Sequence, residues 1–125
     1  MSAERPSTFQ SGSVPWVLQR VTAAFLVVTL AFHFFLLHFV HHAAEITLAG
    51  SAYRMQQLGY LATMLLFLYT ATFHGVNGVY GALLNQGITG GPKRAAEWLL
   101  AIAGVALAVQ GTRLAIALTG VGVSP

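Results

Sequence analysis

The sequence predicts an all-α membrane protein with three transmembrane helices, and three observations carry that prediction. Charge is scarce: six Lys or Arg and three Asp or Glu make 7% of the chain, against 56% hydrophobic residues. A water-soluble domain is about one quarter charged, so most of this surface must face lipid. The few charges also bound long uncharged runs, Val21–Ala44, Met55–Pro92 and Trp98–Thr112, of 24, 38 and 15 residues. Finally, these runs are too long and continuous for barrel strands, and helices are the other way to satisfy backbone groups in lipid.

A bilayer core about 30 Å thick needs about 20 helical residues. The first run holds one helix, at about Trp16–Val40. The second holds one at about Gln57–Leu84. The third run is short unless Arg113 is included, which places its helix at about Ala95–Thr119. Met1–Val14 reads as a polar tail and not a cleaved signal peptide, because the apolar run after it is too long. His41–Gln56 reads as a short loop. Asn85–Arg94, with Gly87, Gly90, Gly91 and Pro92, reads as a helix stop and turn. There is no internal repeat, and residues 1–125 read as a single transmembrane domain.

Basic residues set the expected orientation. Arg5, Arg20, Lys93 and Arg94 fall at one set of helix ends, Arg54 and Arg113 at the other. The positive-inside rule puts the N-terminus and the glycine-rich loop in the cytoplasm, in the cell membrane. The net charge of +3 does not indicate nucleic acid, because the cations are scattered and form no stripe. With no cysteine, the chain offers no disulfide, thiolate metal site or iron–sulfur ligation. It carries no Ser–His–Asp set, Walker loop or dinucleotide glycine pattern. No carboxylate lies in the core of a span, which counts against an ion-coupled transporter.

The candidate functional groups are polar side chains inside the spans, where an ionisable residue is a functional hypothesis by default. His33 and His74 lie well within their helices, and imidazole is a common axial ligand of heme iron. At 100° per residue, Phe67, Thr70, Asn77, Gly78, Gly81 and Asn85 fall within about 60° of His74. Gly78 and Gly81 clear space for a flat porphyrin, and Thr70 or Asn77 can take the proton of the second ring nitrogen. The same strip equally suits close approach of a neighbouring helix, with His74 hydrogen-bonded across it. Gln19, Thr22, Thr29 and His33 form a polar stripe on the first helix, open to the same two readings. His38, His41 and His42 read as interfacial. Arg113 reads as an arginine snorkelling to the headgroups, with a heme propionate as its alternative partner. Glu45, Arg54, Lys93 and Glu97 read as boundary charges, and Trp16, Tyr53 and Trp98 as an aromatic belt.

The stretch Trp16-Val17-Leu18-Gln19-Arg20-Val21-Thr22, followed by His33, resembles the first helix of the small membrane anchors of succinate dehydrogenase. Phe73-His74-Gly75-Val76-Asn77-Gly78 resembles their second helix, where a histidine followed by glycines ligates heme b. The likeness covers essentially the whole chain and is nearer the D-type than the C-type anchor. It implies pairing with a second anchor into a six-helix bundle, beneath an iron–sulfur subunit and a flavoprotein subunit. It implies one or two hemes b per anchor pair, with His74 ligating the heme nearer the cytoplasm and His33 serving the other. It implies quinone as electron acceptor, with Trp16, Gln19 and Arg20 level with its pocket. Where the family commonly has an Asp-Tyr pair this chain has Asn85 and Gln86, and where it commonly has an arginine this chain has Tyr80. Tyr80 and Gln86 are therefore the substitutes expected at the quinone, unless the partner anchor supplies those contacts. The rival expectations are an anchor of another respiratory dehydrogenase, or a structural or transport protein without heme. From the helix centres, His33 and His74 differ in depth by about 13 Å, which assigns them to two hemes completed by a partner with one histidine in each of its first two helices.

Overall fold

A computed structural model describes residues 13–40 and 42–122. Helix α1 (Val14–Phe35) continues as a π-helical turn, Leu36–Val40, and a 3-10 turn follows at Ala43–Glu45. Helix α2 is Leu48–Met55, α3 is Leu58–Asn85 and α4 is Gly90–Thr119. Among the described residues the structure is all-helical, without strands. Among the described residues three helices are long and apolar enough to cross a membrane: Val14–Val40, Leu58–Asn85 and Gly90–Thr119, of 27, 28 and 30 residues. At 1.5 Å per residue each exceeds the hydrocarbon thickness, leaving turns at both ends for the headgroup region.

Local chemistry explains the ends. Ser13 caps α1, its hydroxyl accepting from the Trp16 amide at 3.4 Å. Pro15 sits in the first turn, where no amide donor is missed. Gly87 takes φ +82° after α3, a left-handed conformation that suits glycine and lets its amide return to Leu84 O at 2.9 Å. Two expectations are corrected here. Gly90, Gly91 and Pro92 begin α4 instead of preceding it, because Gly90 accepts φ +59° and Pro92 falls in the first turn, whose amides lack helical partners anyway. The His41–Gln56 segment is no simple loop, because Thr47 caps α2 by accepting from the Gly50 amide at 3.0 Å. His41 itself, like residues 1–12, lies outside the described residues.

Helix α3 is the middle element, packed against α1 on one side and α4 on the other, while α2 rests on α3 and α4. Ala52 of α2 is completely buried there, and Gln56 Nε2 donates to Val121 O at 2.8 Å, tying α2 to the end of α4. Among the described residues only Ala52, Gly81, Gly104 and Ala115 are buried. No large side chain is enclosed, so close backbone approach holds the helices together, as expected where lipid removes the hydrophobic drive for association. A Cβ on Gly104 would stand 3.0 Å from Val76 Cγ2, and one on Gly111 2.6 Å from Leu68 Cδ2. Tyr69 donates to Thr112 Oγ1 at 2.7 Å, since the Thr112 proton is spent on Ala108 O.

These two glycines differ in tolerance. Leu68 can swing its flexible end aside, whereas β-branched Val76 is held at χ1. Gly104→Val should destabilise the α3–α4 pair by about 1–3 kcal/mol, and Gly111→Ala by less. Thermal unfolding midpoints of the two variants in detergent check the order.

Candidate functional site

The polar stripe of α1 meets the histidine face of α3. Thr22 Oγ1 lies 3.0 Å from His74 Nδ1. Its hydroxyl carries one proton, and that proton is directed to the carbonyl of Leu18 at 2.7 Å, with Gln19 O at 3.2 Å. Towards His74 the hydroxyl can therefore only accept, so Nδ1 is the protonated nitrogen and Nε2 holds the lone pair. The partner of the ring is thus Thr22 from the opposite helix, not Thr70 or Asn77 from its own.

Gln19 completes the arrangement. Its Nε2 donates to His74 O at 3.2 Å and lies 3.5 Å from His74 Nε2. Its Oε1 accepts from Asn77 Nδ2 at 2.7 Å. Gly78 makes this possible: a Cβ there would stand 2.9 Å from Gln19 Nε2. The space at Gly78 is occupied by Gln19 rather than left clear as a flat surface. His74, Gln19 and Asn77 are all half-buried, as is Gly78.

The remaining candidates sit in separate places. Arg20 lies over the ring of Trp16, its guanidinium carbon 3.6 Å from the ring centroid, a cation–π contact. Tyr80 faces α4 and donates to Glu97 Oε1 at 2.6 Å. Gln86 is exposed at the end of α3. His33 is exposed and lines a cavity of about 510 Å³ between α1 and α3, with Thr29, Tyr60, Thr63, Met64 and Phe67 among its neighbours. Arg113 is exposed on α4, in a shallow cavity with Gln110 and Leu114 and away from both His33 and His74. His38 donates from Nδ1 to Phe34 O at 3.0 Å and stacks on the Phe34 ring. The structure thus brings His74, Gln19 and Gly78 together, pairs Trp16 with Arg20, and leaves His33, Arg113 and Gln86 apart. It adds Thr22 and Asn77 as direct members of the site. It adds Glu97, which the sequence presents as a boundary charge because the start of α4 is not evident there. Among the described residues no three of His, Asp and Glu gather into a metal-binding group. The ligating capacity at this site is that of single imidazoles.

The arrangement is that of an imidazole approached at both nitrogens, by Thr22 at Nδ1 and by the Gln19 amide at Nε2, inside a membrane span. The chain matches the family described as succinate dehydrogenase/fumarate reductase transmembrane subunit over residues 2–112. No curated protein and no solved structure matches it. With a match over most of its length and three membrane-length helices among the described residues, the chain belongs to the succinate dehydrogenase/fumarate reductase transmembrane subunits.

Proposed function

We propose that this chain is a D-type, heme b-binding anchor of a succinate:quinone oxidoreductase in the cell membrane, with its N-terminus in the cytoplasm. One observation carries the reading: Thr22 accepts the Nδ1 proton of His74, which leaves the lone pair on Nε2, a nitrogen that a ligated iron would take over from the Gln19 amide now 3.5 Å away. Ligating histidines characteristically donate their other ring nitrogen to an acceptor, which fixes the tautomer and raises basicity. The donor chemistry therefore fits heme iron at His74. His33 is the ligand proposed for a second heme, beside the cavity in the other half of the membrane. When bound, such a heme supplies a one-electron store near the quinone.

The chain's own residues do the rest. Gln19 and Asn77 hold the His74 turn against α1 by side-chain hydrogen bonds. Trp16 and Arg20 present a cation at the N-terminal end of α1, suited to a quinone carbonyl. Tyr80 and Gln86 stand on the same end of α3. A second anchor completes a six-helix bundle, and the iron–sulfur and flavoprotein subunits dock on the cytoplasmic side, the side to which the positive-inside rule assigns Arg20, Lys93 and Arg94. The apolar side chains left exposed on α1 and α4, such as Val28, Phe32, Ile102 and Val105, are available to such a partner and to lipid.

The test is spectroscopic. The purified complex should show a b-type alpha band that succinate reduces; a complex with no heme, or one that succinate cannot reduce, ends the proposal. Arg20→Ala should raise the apparent KM for quinone about tenfold, the value of one charge-assisted hydrogen bond. Dye-linked succinate oxidation in the same preparation measures assembly, and an equal fall in both activities would point to lost assembly instead.

A further inference from the structure

The face of α4 turned away from α3 carries two polar side chains with no counterpart in this chain. Gly104, Gly111 and Thr112 meet α3 at Val76, Leu68 and Tyr69. At 100° per residue Gln110 and Arg113 lie about 60° apart, on the opposite side of the helix. Both are exposed, in a shallow cavity of about 430 Å³ with Leu114, Ile116 and Ala117. Neither has a hydrogen-bond or ion-pair partner among the described residues. Their depth makes this costly. Lys93 and Arg94 bound one end of the span, and the exposed Trp98 suits the interface there. Counted from Trp98 at 1.5 Å per residue, a hydrocarbon layer about 30 Å thick ends near Leu118, so Arg113 lies about 8 Å and Gln110 about 12 Å beneath the far boundary. An arginine snorkels across the first distance. The shorter glutamine, near the middle of the bilayer, does not cross the second. An unpaired amide in hydrocarbon is strongly unfavourable, so this face meets protein and not lipid alone.

The same face is shaped for a helix. Ala103 and Ala117 stand seven residues to either side of Gln110, and Ala106 seven before Arg113. A heptad seam of small side chains therefore runs along α4, with Gln110 and Arg113 as its polar layer. Charge selects the occupant. A second copy enters the membrane the same way up and would set Arg113 against Arg113 at one depth, where like charges repel with little screening. Its α4 offers a carboxylate only at Glu97, sixteen residues or about 24 Å from Arg113. A lipid phosphate reaches Arg113 but not Gln110. A carboxylate on a neighbouring helix satisfies both, because guanidinium and amide can each donate to it. We infer that the back of α4 docks a transmembrane helix of a different chain, bearing an Asp or Glu level with Gln110 and Arg113. The seam faces away from α3, and so from the α1–α3 contact that holds His74. The inference therefore stands apart from the heme and quinone reading.

The experiment uses the full chain in its native membrane, with the photoreactive residue p-benzoylphenylalanine in place of Ile102 on the rim of the seam. Cross-linked peptides are sequenced by mass spectrometry at equal content of this chain. The adduct should be one transmembrane peptide of another chain, with an Asp or Glu at the matching depth. Arg113→Leu and Gln110→Leu should each lower its yield about tenfold, the value of one polar contact between membrane helices. Arg113→Lys should lower it less, since the charge is kept. Arg113→Glu should abolish the adduct, and exchanging the partner's carboxylate for an arginine should restore it. An adduct with phospholipid or with a second copy overturns the inference. So does a partner span without a carboxylate, a yield indifferent to Gln110→Leu, a charge exchange that restores nothing, or no adduct at all. Heme content and quinone reduction in the same preparations report separately on the other reading.

Discussion

His74→Ala is expected to deplete heme from the assembled complex by well over tenfold, at the site nearer the N-terminal end of α1. The expectation can be graded against its neighbour. Removing the acceptor on the far ring nitrogen of a ligating histidine costs roughly 10–100-fold in affinity, and Thr22 is that acceptor here, 3.0 Å from Nδ1. Thr22→Val keeps the shape and removes the hydroxyl, so it should weaken heme retention within that range and shift the midpoint potential. Loss of the ligand itself must exceed it. Exogenous imidazole should partly restore the low-spin spectrum of His74→Ala and do nothing for Thr22→Val. Heme per flavin and redox titration of the alpha band are the measurements. A His74→Ala complex with its full heme content and unaltered potentials makes His74 a packing residue, hydrogen-bonded across a small-residue seam.

Expressed alone, the chain should bind no stoichiometric, six-coordinate heme b. The cross-helix bond sets the depths: Thr22 of α1 and His74 of α3 are level, because their side chains touch. His33 lies eleven residues farther along α1, about 16 Å at 1.5 Å per residue, slightly more than the 13 Å expected from the helix centres. Two axial ligands of one iron must stand at one depth and face each other, so His33 and His74 cannot share a heme. Each proposed heme then needs its second histidine from the partner anchor. Co-expression should restore the low-spin spectrum, and His33→Ala should lower heme content only if two hemes are bound per anchor pair. A low-spin bis-histidine spectrum from the monomer would sink this account. The same register supports the broader picture in which α1 and α3 present two separate imidazoles to one neighbour.

The amino-acid sequence by itself determined the three spans. Runs without charge are read directly, since lipid tolerates no other solvent-facing chemistry, and the ends of the first two helices lie within about two residues of their expected places. It also determined that His74 and the small residues around it share a face, because helical periodicity relates residues within one helix. Tertiary structure decided what that face meets. Thr22 and Gln19 reach His74 only through the register of α1 on α3, which no single-helix periodicity contains, so the expected partners Thr70 and Asn77 gave way to Thr22. The same holds at Gly78, whose missing side chain admits Gln19. Helix α2 was not evident because eight residues are too few for a periodic signal, and its stability comes from Ala52 buried on α3 and α4. Glu97 seemed a boundary charge because Gly90, Gly91 and Pro92 suggest a stop. Once those residues open α4, Glu97 falls two turns inside the helix, opposite Tyr80. Composition and period are properties of one segment against a solvent, whereas a site is a property of two segments against each other.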